Sequence, residues 1–437
     1  MIDFDSLARK VKVKPKQIKK FPIQNAAACQ FKWTWSTVFL NRGTTASCHR
    51  GHHWSINGNT IMDFHNHPGK IQDREKMLKG EWPGEGSGCE YCRDVEQAGG
   101  ISERIAYVNE MGDMAPPEMD TDPTATHVTP RIVEVYFNNT CNQMCIYCTP
   151  AFSSKIEQEV RKYGQVPLWN QDYSEWKEDA RPRYELYKQK FWEWMKLYGK
   201  DVYILKILGG EPMYQEEFLE CLQFFDENPM PQMTWRIFTN MNHDPKKFRE
   251  KLEFIKRLIN EKKLKGIDVV CSIDCWGPEL EYTRYGLSLA DCEANMETLL
   301  EMEEIGVLVH STLTVLSLPY MYKLVEKVLE WQKRKPILFG WNTVTRPEIF
   351  NMYSFGGYLV PYIDKALDIF DKNGGLNDYQ SYLRGMKDQQ WASEVDVDQI
   401  NKMVAFLDEL DIRRKCDWKS KIPEVAYIVE EIRKRHG

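Results

Sequence analysis

Three cysteines fall in one short stretch, NNTCNQMCIYC, as Cys141, Cys145 and Cys148. C-x3-C-x2-C spacing brings three thiolates into a single loop, enough to hold three irons of a [4Fe–4S] cube and leave the fourth iron without a protein ligand. A metal position that the protein leaves open is one where a substrate or cofactor coordinates, which separates catalytic from structural metal sites. Zinc with a fourth ligand elsewhere in the chain is the alternative, although no His or Cys stands nearby in the sequence to complete a tetrahedron.

A second set, Cys29, Cys48, Cys89 and Cys92, is spread through the first quarter of the chain as C-x18-C-x40-C-x2-C. Four thiolates can close around a [4Fe–4S] cluster or around structural zinc, and in the zinc case His49, His52 or His53 could replace one of them. The histidines of HRGHH and HNHP, His65 and His67 included, otherwise read as polar loop residues. Cys221, Cys271, Cys275, Cys292 and Cys416 stand singly in apolar or helical patterns, as small buried residues do.

The elements that must position these groups are read from patterning. At 437 residues the chain is long enough for a barrel plus an appendage. Lys+Arg of 58 against Asp+Glu of 64 leaves a net charge of −6, which makes a nucleic-acid partner unlikely on electrostatic grounds. A hydrophobic content of 42% suits a folded core. No run approaches eighteen apolar residues and the N-terminus lacks an apolar signal core, so we expect no membrane partner and a cytoplasmic protein. In a reducing compartment the cysteines are then ligands or core residues, not disulfides.

Residues 1–24 form a basic leader with Arg9, Lys10, Lys12, Lys14, Lys16, Lys19 and Lys20. Residues 25–108 form a Cys-rich domain in which WTWSTVFLNRGTTASCHR reads as a strand, a Gly turn and a second strand. So small a unit needs a staple, which four cysteines would supply. A Pro-rich linker covers 109–130, and from 131 strands and helices alternate. Strands are expected at 132–137, 202–208, 234–239, 266–273, 307–316 and 337–344. Six βα units in series indicate a parallel sheet, either doubly wound or curled into a partial barrel. Trp169, Trp176, Trp192 and Trp194 crowd an insertion and read mainly as packing groups. Residues 351–437 read as amphipathic helices, packed on the barrel wall or lying over its mouth.

The cysteine loop and the strand ends C-terminal to it resemble the radical S-adenosylmethionine (SAM) superfamily. That signature has an aromatic immediately before the third cysteine, here Tyr147. GGEP (Gly209, Gly210, Glu211, Pro212) comes after the second expected strand, as the family's methionine-binding motif does. Asn240 ends the third strand in FTN, with Met241 where the family often has Gly. Ser272 and Asp274, in SID, lie where relatives place polar groups on the ribose. Arg284, in EYTRYG, matches a position that pairs with the SAM carboxylate. Thr314, Val315 and Val344 match adenine-facing backbone positions. The match spans about residues 131–345. The run Cys29, Trp35, Gly43, Cys48 resembles the SPASM and Twitch extensions of the same superfamily, placed here before the barrel instead of after it. LDELDIRRKCDWKSKIPEV resembles the C-terminal tails of some Twitch-type members.

The resemblance implies an α/β fold: a partial (βα)6 TIM-like barrel over 131–350, with a Cys-rich N-terminal domain and a helical C-terminal region over 351–437. It implies a SAM-binding [4Fe–4S] cluster on Cys141, Cys145 and Cys148 and a second, auxiliary cluster on Cys29, Cys48, Cys89 and Cys92, with zinc as the alternative there. The implied oxidoreductase chemistry is reductive cleavage of SAM to a 5′-deoxyadenosyl radical that abstracts a substrate hydrogen, with electrons from a flavodoxin or ferredoxin. Peptide or protein modification is the leading expectation. A small molecule (cofactor, nucleoside or sugar) is the alternative, and a zinc-stapled, non-enzymatic binding protein a third. Cys275 and Tyr282 fall nearest the expected mouth as candidates for resolving a product radical.

Overall fold

Eleven strands carry the architecture: β1 (Trp35–Phe39), β2 (Thr44–Ala46), β3 (Trp54–Ser55), β4 (Ile132–Tyr136), β5 (Met144–Cys145), β6 (Ile204–Leu208), β7 (Met230–Thr239), β8 (Leu264–Ser272), β9 (Arg284–Tyr285), β10 (Ile305–Leu313) and β11 (Leu338–Thr343). They come from a computed structural model that describes residues 21–56, 63–100, 102–105, 114–166, 183–344, 347–373 and 377–436. The lysines and arginine of the expected basic leader, and Trp169 and Trp176 of the insertion, lie outside the described residues.

Nine strands form one mostly parallel sheet in the order β11-β10-β8-β7-β6-β4-β1-β2-β3. All six expected strands are present, and each pairs in parallel with the next along the chain. The strands β4, β6, β7, β8, β10 and β11 follow one another in chain order across the sheet, and the order turns back only beyond β4, where β1, β2 and β3 are added.

The expected N-terminal hairpin is also present, with Gly43 at φ +61 in its turn. Its first strand, however, is not confined to the Cys-rich segment. β1 pairs in parallel with β4, Trp35 opposite Ile132 and Phe39 opposite Tyr136. The reason lies in WSTVF itself, where all five residues are buried. A strand buried on both faces belongs inside a parallel sheet.

β7 shows how the two faces differ. Met233, Trp235, Ile237 and Thr239 are buried, whereas Arg236 and Phe238 between them are half-buried. The buried set joins Leu205, Ile207, Val269 and Val309 in one core with helix residues such as Phe225, Phe248, Leu252 and Leu324. The opposite face carries a polar row in register, Thr37, Glu134, Lys206, Arg236 and Asp268. Buried or half-buried charges need partners. Arg236 donates twice to Asp268, at 2.8 and 3.1 Å, and the Lys206 ammonium sits 3.8 Å over the Trp35 ring.

The C-terminal part is helical, with the longest helices at Val360–Lys372, Asn377–Ala392, Val397–Arg414 and Pro423–His436. Tyr379 and Tyr382 pack on Phe339 and Trp341 of β11, which covers the edge strand of the sheet. The two faces should respond differently to truncation. Leu205→Ala, at 0% exposure on the helix-covered face, is expected to cost about 2–5 kcal/mol of unfolding free energy. Leu208→Ala, half-buried on the other face, should cost less than half as much, both read from urea unfolding.

Candidate functional site

β4 runs into the loop of Cys141, Cys145 and Cys148, which two local devices hold. Ser153 caps the helix Ser154–Tyr163 and its hydroxyl donates to the Gln143 carbonyl at 2.7 Å, while the Cys141 N–H donates to Ser154 Oγ at 3.1 Å. On the other side, β5 pairs antiparallel with β9, Cys145 opposite Arg284. Three donors face the sulfurs. The Gln143 N–H lies 3.4 Å and Asn240 Nδ2 3.9 Å from Cys141 Sγ, and Arg284 Nη1 lies 3.9 Å from Cys145 Sγ. Donors of this kind favour thiolate over thiol.

Arg284 and Asp274, each expected against a ligand, are paired with each other. Nε and Nη2 of Arg284 donate to the two Asp274 oxygens at 2.9 Å each, the Tyr147 hydroxyl donates to Asp274 Oδ2 at 2.7 Å, and the Thr312 N–H to Oδ1 at 3.0 Å. Asp274 is 0% and Arg284 5% exposed. Burial alone would weaken the guanidinium's hold on its proton, but Asp274, Tyr147 and Cys145 keep Arg284 well above its ordinary range. Burial pushes the Tyr147 phenol up, and Asp274 adds to it.

Glu211 is fully buried and its carboxylate is engaged. Oε1 accepts from the Met213 N–H at 3.1 Å and lies 3.2 Å from His243 Nε2, and Oε2 accepts from the Asn240 N–H at 2.5 Å. It therefore braces the ends of β6 and β7 against each other. Gly209 and Gly210 adopt φ +87 and +57, and a Cβ on Gly210 would stand 2.3 Å from the Thr140 carbonyl oxygen. The close approach that these glycines permit is to the cysteine loop's own backbone. Pro212 opens the short 3-10 turn Pro212–Tyr214 that Glu211 caps. Asn240 reaches the same loop, donating to Asn142 Oδ1 at 2.8 Å. Met241, in place of the expected glycine, has φ +62 and is buried. A left-handed position costs a non-glycine residue about 1–2 kcal/mol, which its buried side chain offsets.

Ser272 is half-buried at the end of β8, opposite His310. Thr314 and Val315 are buried, and the backbone N–H groups of Val315 and Val344 donate to the Phe350 and Leu313 carbonyls. Cys275 is fully buried, and the Tyr282 hydroxyl donates to Asp411 at 3.0 Å. Sequence reasoning passed over Gln215, His243 and Arg414. Gln215 Nε2 donates to the Gly209 carbonyl at 2.7 Å and lies 3.3 Å from those of Asn138 and Thr140, tying GGEP to the loop. No local pattern marks such a residue. Arg414 had a weak signal, an Arg-Arg pair ending a helix that reads as charge complementing the helix dipole.

The four N-terminal cysteines, separated by up to 63 residues of chain, line one cavity. Cys29 precedes β1 and Cys48 comes after the antiparallel β2, so this set stands at the N-terminal end of the parallel strands. Cys141 comes after β4, at the opposite end. A five-residue strand at about 3.3 Å per residue puts at least roughly 13 Å between the two sets. Burial pushes the Cys48 and Cys92 thiols up, offset in part by Lys32 beside Cys48 and by the Arg104 backbone beside Cys92. Lys32, Arg50 and Arg104 line the same cavity together with Glu103, and Lys32 meets the buried Asp73 at 2.6 Å. Positive charge beside the sulfurs suits thiolates. Of the histidines weighed as ligands, His49 bonds Glu103 at 2.8 Å, His52 meets Trp54 edge-on, and His53 stacks on Phe39. His65 bonds the Trp33 carbonyl, and His67 caps the helix Pro68–Leu78.

Among the described residues, no three His, Cys, Asp or Glu side chains stand close enough to hold a single metal ion. No helix among them is long and apolar enough to cross a membrane. A scan against protein-family models finds no match, and a search of curated proteins finds none either.

These environments set two expected outcomes. Asp274→Asn strands a buried guanidinium, with an expected loss of about 3–5 kcal/mol in denaturant unfolding of the metal-free chain. In that chain, burial and neighbouring thiols push Cys29 and Cys141 up to about 12 from 9.0. The folded state then binds these protons more tightly than the unfolded one, so stability is full below about pH 9 and falls as pH rises toward about 12. Urea midpoints across that interval should drop, and replacing both cysteines by Ser should flatten the slope.

Proposed function

We propose that the chain is a radical SAM enzyme, its six sequential strands forming a partial (βα)6 barrel with the cysteine loop at the C-terminal rim. The observation that carries this reading is the loop itself: three cysteines after β4, the first of the six strands that follow one another in parallel, with N–H donors aimed at two of the sulfurs. Strand C-terminal ends are where such folds build active sites. A [4Fe–4S] cluster with SAM bound there supplies one-electron reductive cleavage of the sulfonium, giving the 5′-deoxyadenosyl radical that takes a substrate hydrogen.

The chain's own residues fit that group. Cys141, Cys145 and Cys148 offer three thiolates and no fourth. With nothing bound, burial and mutual repulsion favour the protonated thiols, and Cys141 is pushed up to about 12. A cationic iron core is what allows all three to ionise together. Arg284 supplies positive charge on the inner side of Cys145, and the buried Asp274–Tyr147 pair fixes its fork. Glu211, Gly209, Gly210, Pro212, Asn240 and Ser272 line the adjoining strand ends as the family's cofactor contacts do. Water is excluded around Glu211 and Asp274, both 0% exposed, which strengthens every electrostatic contact there.

Cys29, Cys48, Cys89 and Cys92 are proposed to hold a second, auxiliary [4Fe–4S] cluster closed by four protein ligands. The substrate class proposed is a peptide or protein, by analogy with superfamily members that carry auxiliary clusters, with a flavodoxin- or ferredoxin-like electron donor.

Anaerobic iron–sulfide reconstitution and then addition of SAM and dithionite tests the reading. Wild-type protein should release 5′-deoxyadenosine even without substrate, and Cys145→Ala should release none while keeping its fold. Iron-loaded wild type that yields no 5′-deoxyadenosine overturns the proposal. In the triple Cys141, Cys145, Cys148→Ala variant, visible iron–sulfur absorbance should persist from the N-terminal set, and bound zinc in its place would overturn the auxiliary cluster.

A further inference from the structure

The segment LDELDIRRKCDW, to which the proposed function gives no role, forms a built turn. The helix Val397–Arg414 ends at Lys415, in the left-handed region at φ +54. The Cys416 N–H returns to the Asp411 carbonyl at 3.1 Å, and Asp411 Oδ2 accepts from the Trp418 N–H at 2.6 Å. Trp418 is buried beneath it and donates its ring N–H to Asp408 at 2.8 Å. The chain thus leaves the helix in one defined direction, with Arg414 facing the cysteine loop.

Arg414 uses its whole fork there. Nε and Nη2 donate to the two Glu159 oxygens at 2.9 and 3.0 Å, and Nη1 donates to the Met144 carbonyl at 3.0 Å. Both side chains are nearly buried, at 6% and 8% exposure. Met144 lies between Cys141 and Cys145. Tyr285, paired opposite Met144, donates its hydroxyl to the Arg414 carbonyl at 3.1 Å, and Tyr282 donates to Asp411 at 3.0 Å. The two-residue strand β5 is therefore gripped by two arginines, Arg284 at the Cys145 sulfur and Arg414 at the Met144 carbonyl.

We propose that Arg414 is a positioning residue for the three-cysteine site: the C-terminal turn latches the Met144–Cys145 backbone, so that Cys145 presents its sulfur to the cluster. The inference rests on the proposed iron–sulfur cluster and deepens that reading. A two-residue ladder is too short to hold its own geometry, and a bidentate guanidinium with a third donor supplies what it lacks. Lysine carries the charge on a single nitrogen and cannot reproduce the bidentate fork on Glu159. Partners that orient ligands from behind change metal affinity by about 10–100-fold when removed.

The test uses the full chain and its second cysteine set as an internal reference. Wild type, Arg414→Gln, Arg414→Lys and Glu159→Gln are reconstituted anaerobically, counted for iron, and challenged with a ferrous chelator. The triple Cys141, Cys145, Cys148→Ala variant gives the iron held by the N-terminal set alone. Arg414→Gln should lose the loop's iron about 10–100-fold faster than wild type and retain the N-terminal iron, with Arg414→Lys and Glu159→Gln between the two. Equal release from wild type and Arg414→Gln overturns the proposal, and so does equally accelerated release from both sets, which marks a general loss of structure. If Arg414→Gln does not fold, Arg414→Lys carries the same comparison. Wild type that holds no more iron than the triple variant sinks the cluster reading and this proposal together.

Discussion

A guanidinium and a carboxylate that share one buried site tie the cysteine loop to the ends of the strands. Arg284 and Asp274 are ten residues apart, on β9 and just past β8, and their double hydrogen bond is closed by Tyr147 from the loop itself. Two isolated charges in such a place would be costly, and the bidentate geometry with two further donors offsets that cost. The remaining Arg284 nitrogen points at Cys145. One ion pair thereby orients a cysteine sulfur, an aromatic ring and two strand ends. The loop has almost no regular structure of its own, so its shape depends on these tertiary bonds.

The sheet separates the two cysteine sets. One stands at the C-terminal ends of the parallel strands, where the Gly209–Gly210 turn packs against the backbone of the cysteine loop. The other stands at the N-terminal end, enclosed by buried lysine and arginine side chains. The proposed three-thiolate and four-thiolate centres would thus stand at opposite ends of the parallel strands. The buried cations matter as much as the sulfurs. Lys70 is fully buried with no carboxylate among its partners, and burial with Arg74 and Lys32 nearby pulls it well below its ordinary range. Negative charge on the neighbouring thiolates would relieve that strain.

Several polar residues read from sequence as ligand contacts are engaged within the protein. Glu211 braces β6 and β7, Asp274 pairs with Arg284, and Gly210 yields to the Thr140 carbonyl. These bonds organise the C-terminal ends of the strands from within the protein. A carboxylate held by backbone N–H groups keeps a fixed position, and preorganised polar groups lose little on binding.

Much of this was legible in the residues alone. Cysteine spacing, six apolar β-rich runs and the turn motifs between them identified the parallel strands and the loop, because local periodicity and short spacing are chain properties. The convergence of Cys29, Cys48, Cys89 and Cys92 on one cavity was legible too, although it spans 63 residues. Three elements were not. The insertion of WSTVF beside β4 is strand pairing between distant segments. The Arg284–Asp274 pair is a choice of partner made by burial. The Arg414 latch joins residues 270 positions apart. In each case the deciding energy is desolvation and hydrogen bonding between groups far apart in sequence, and only the folded chain sets which of them meet.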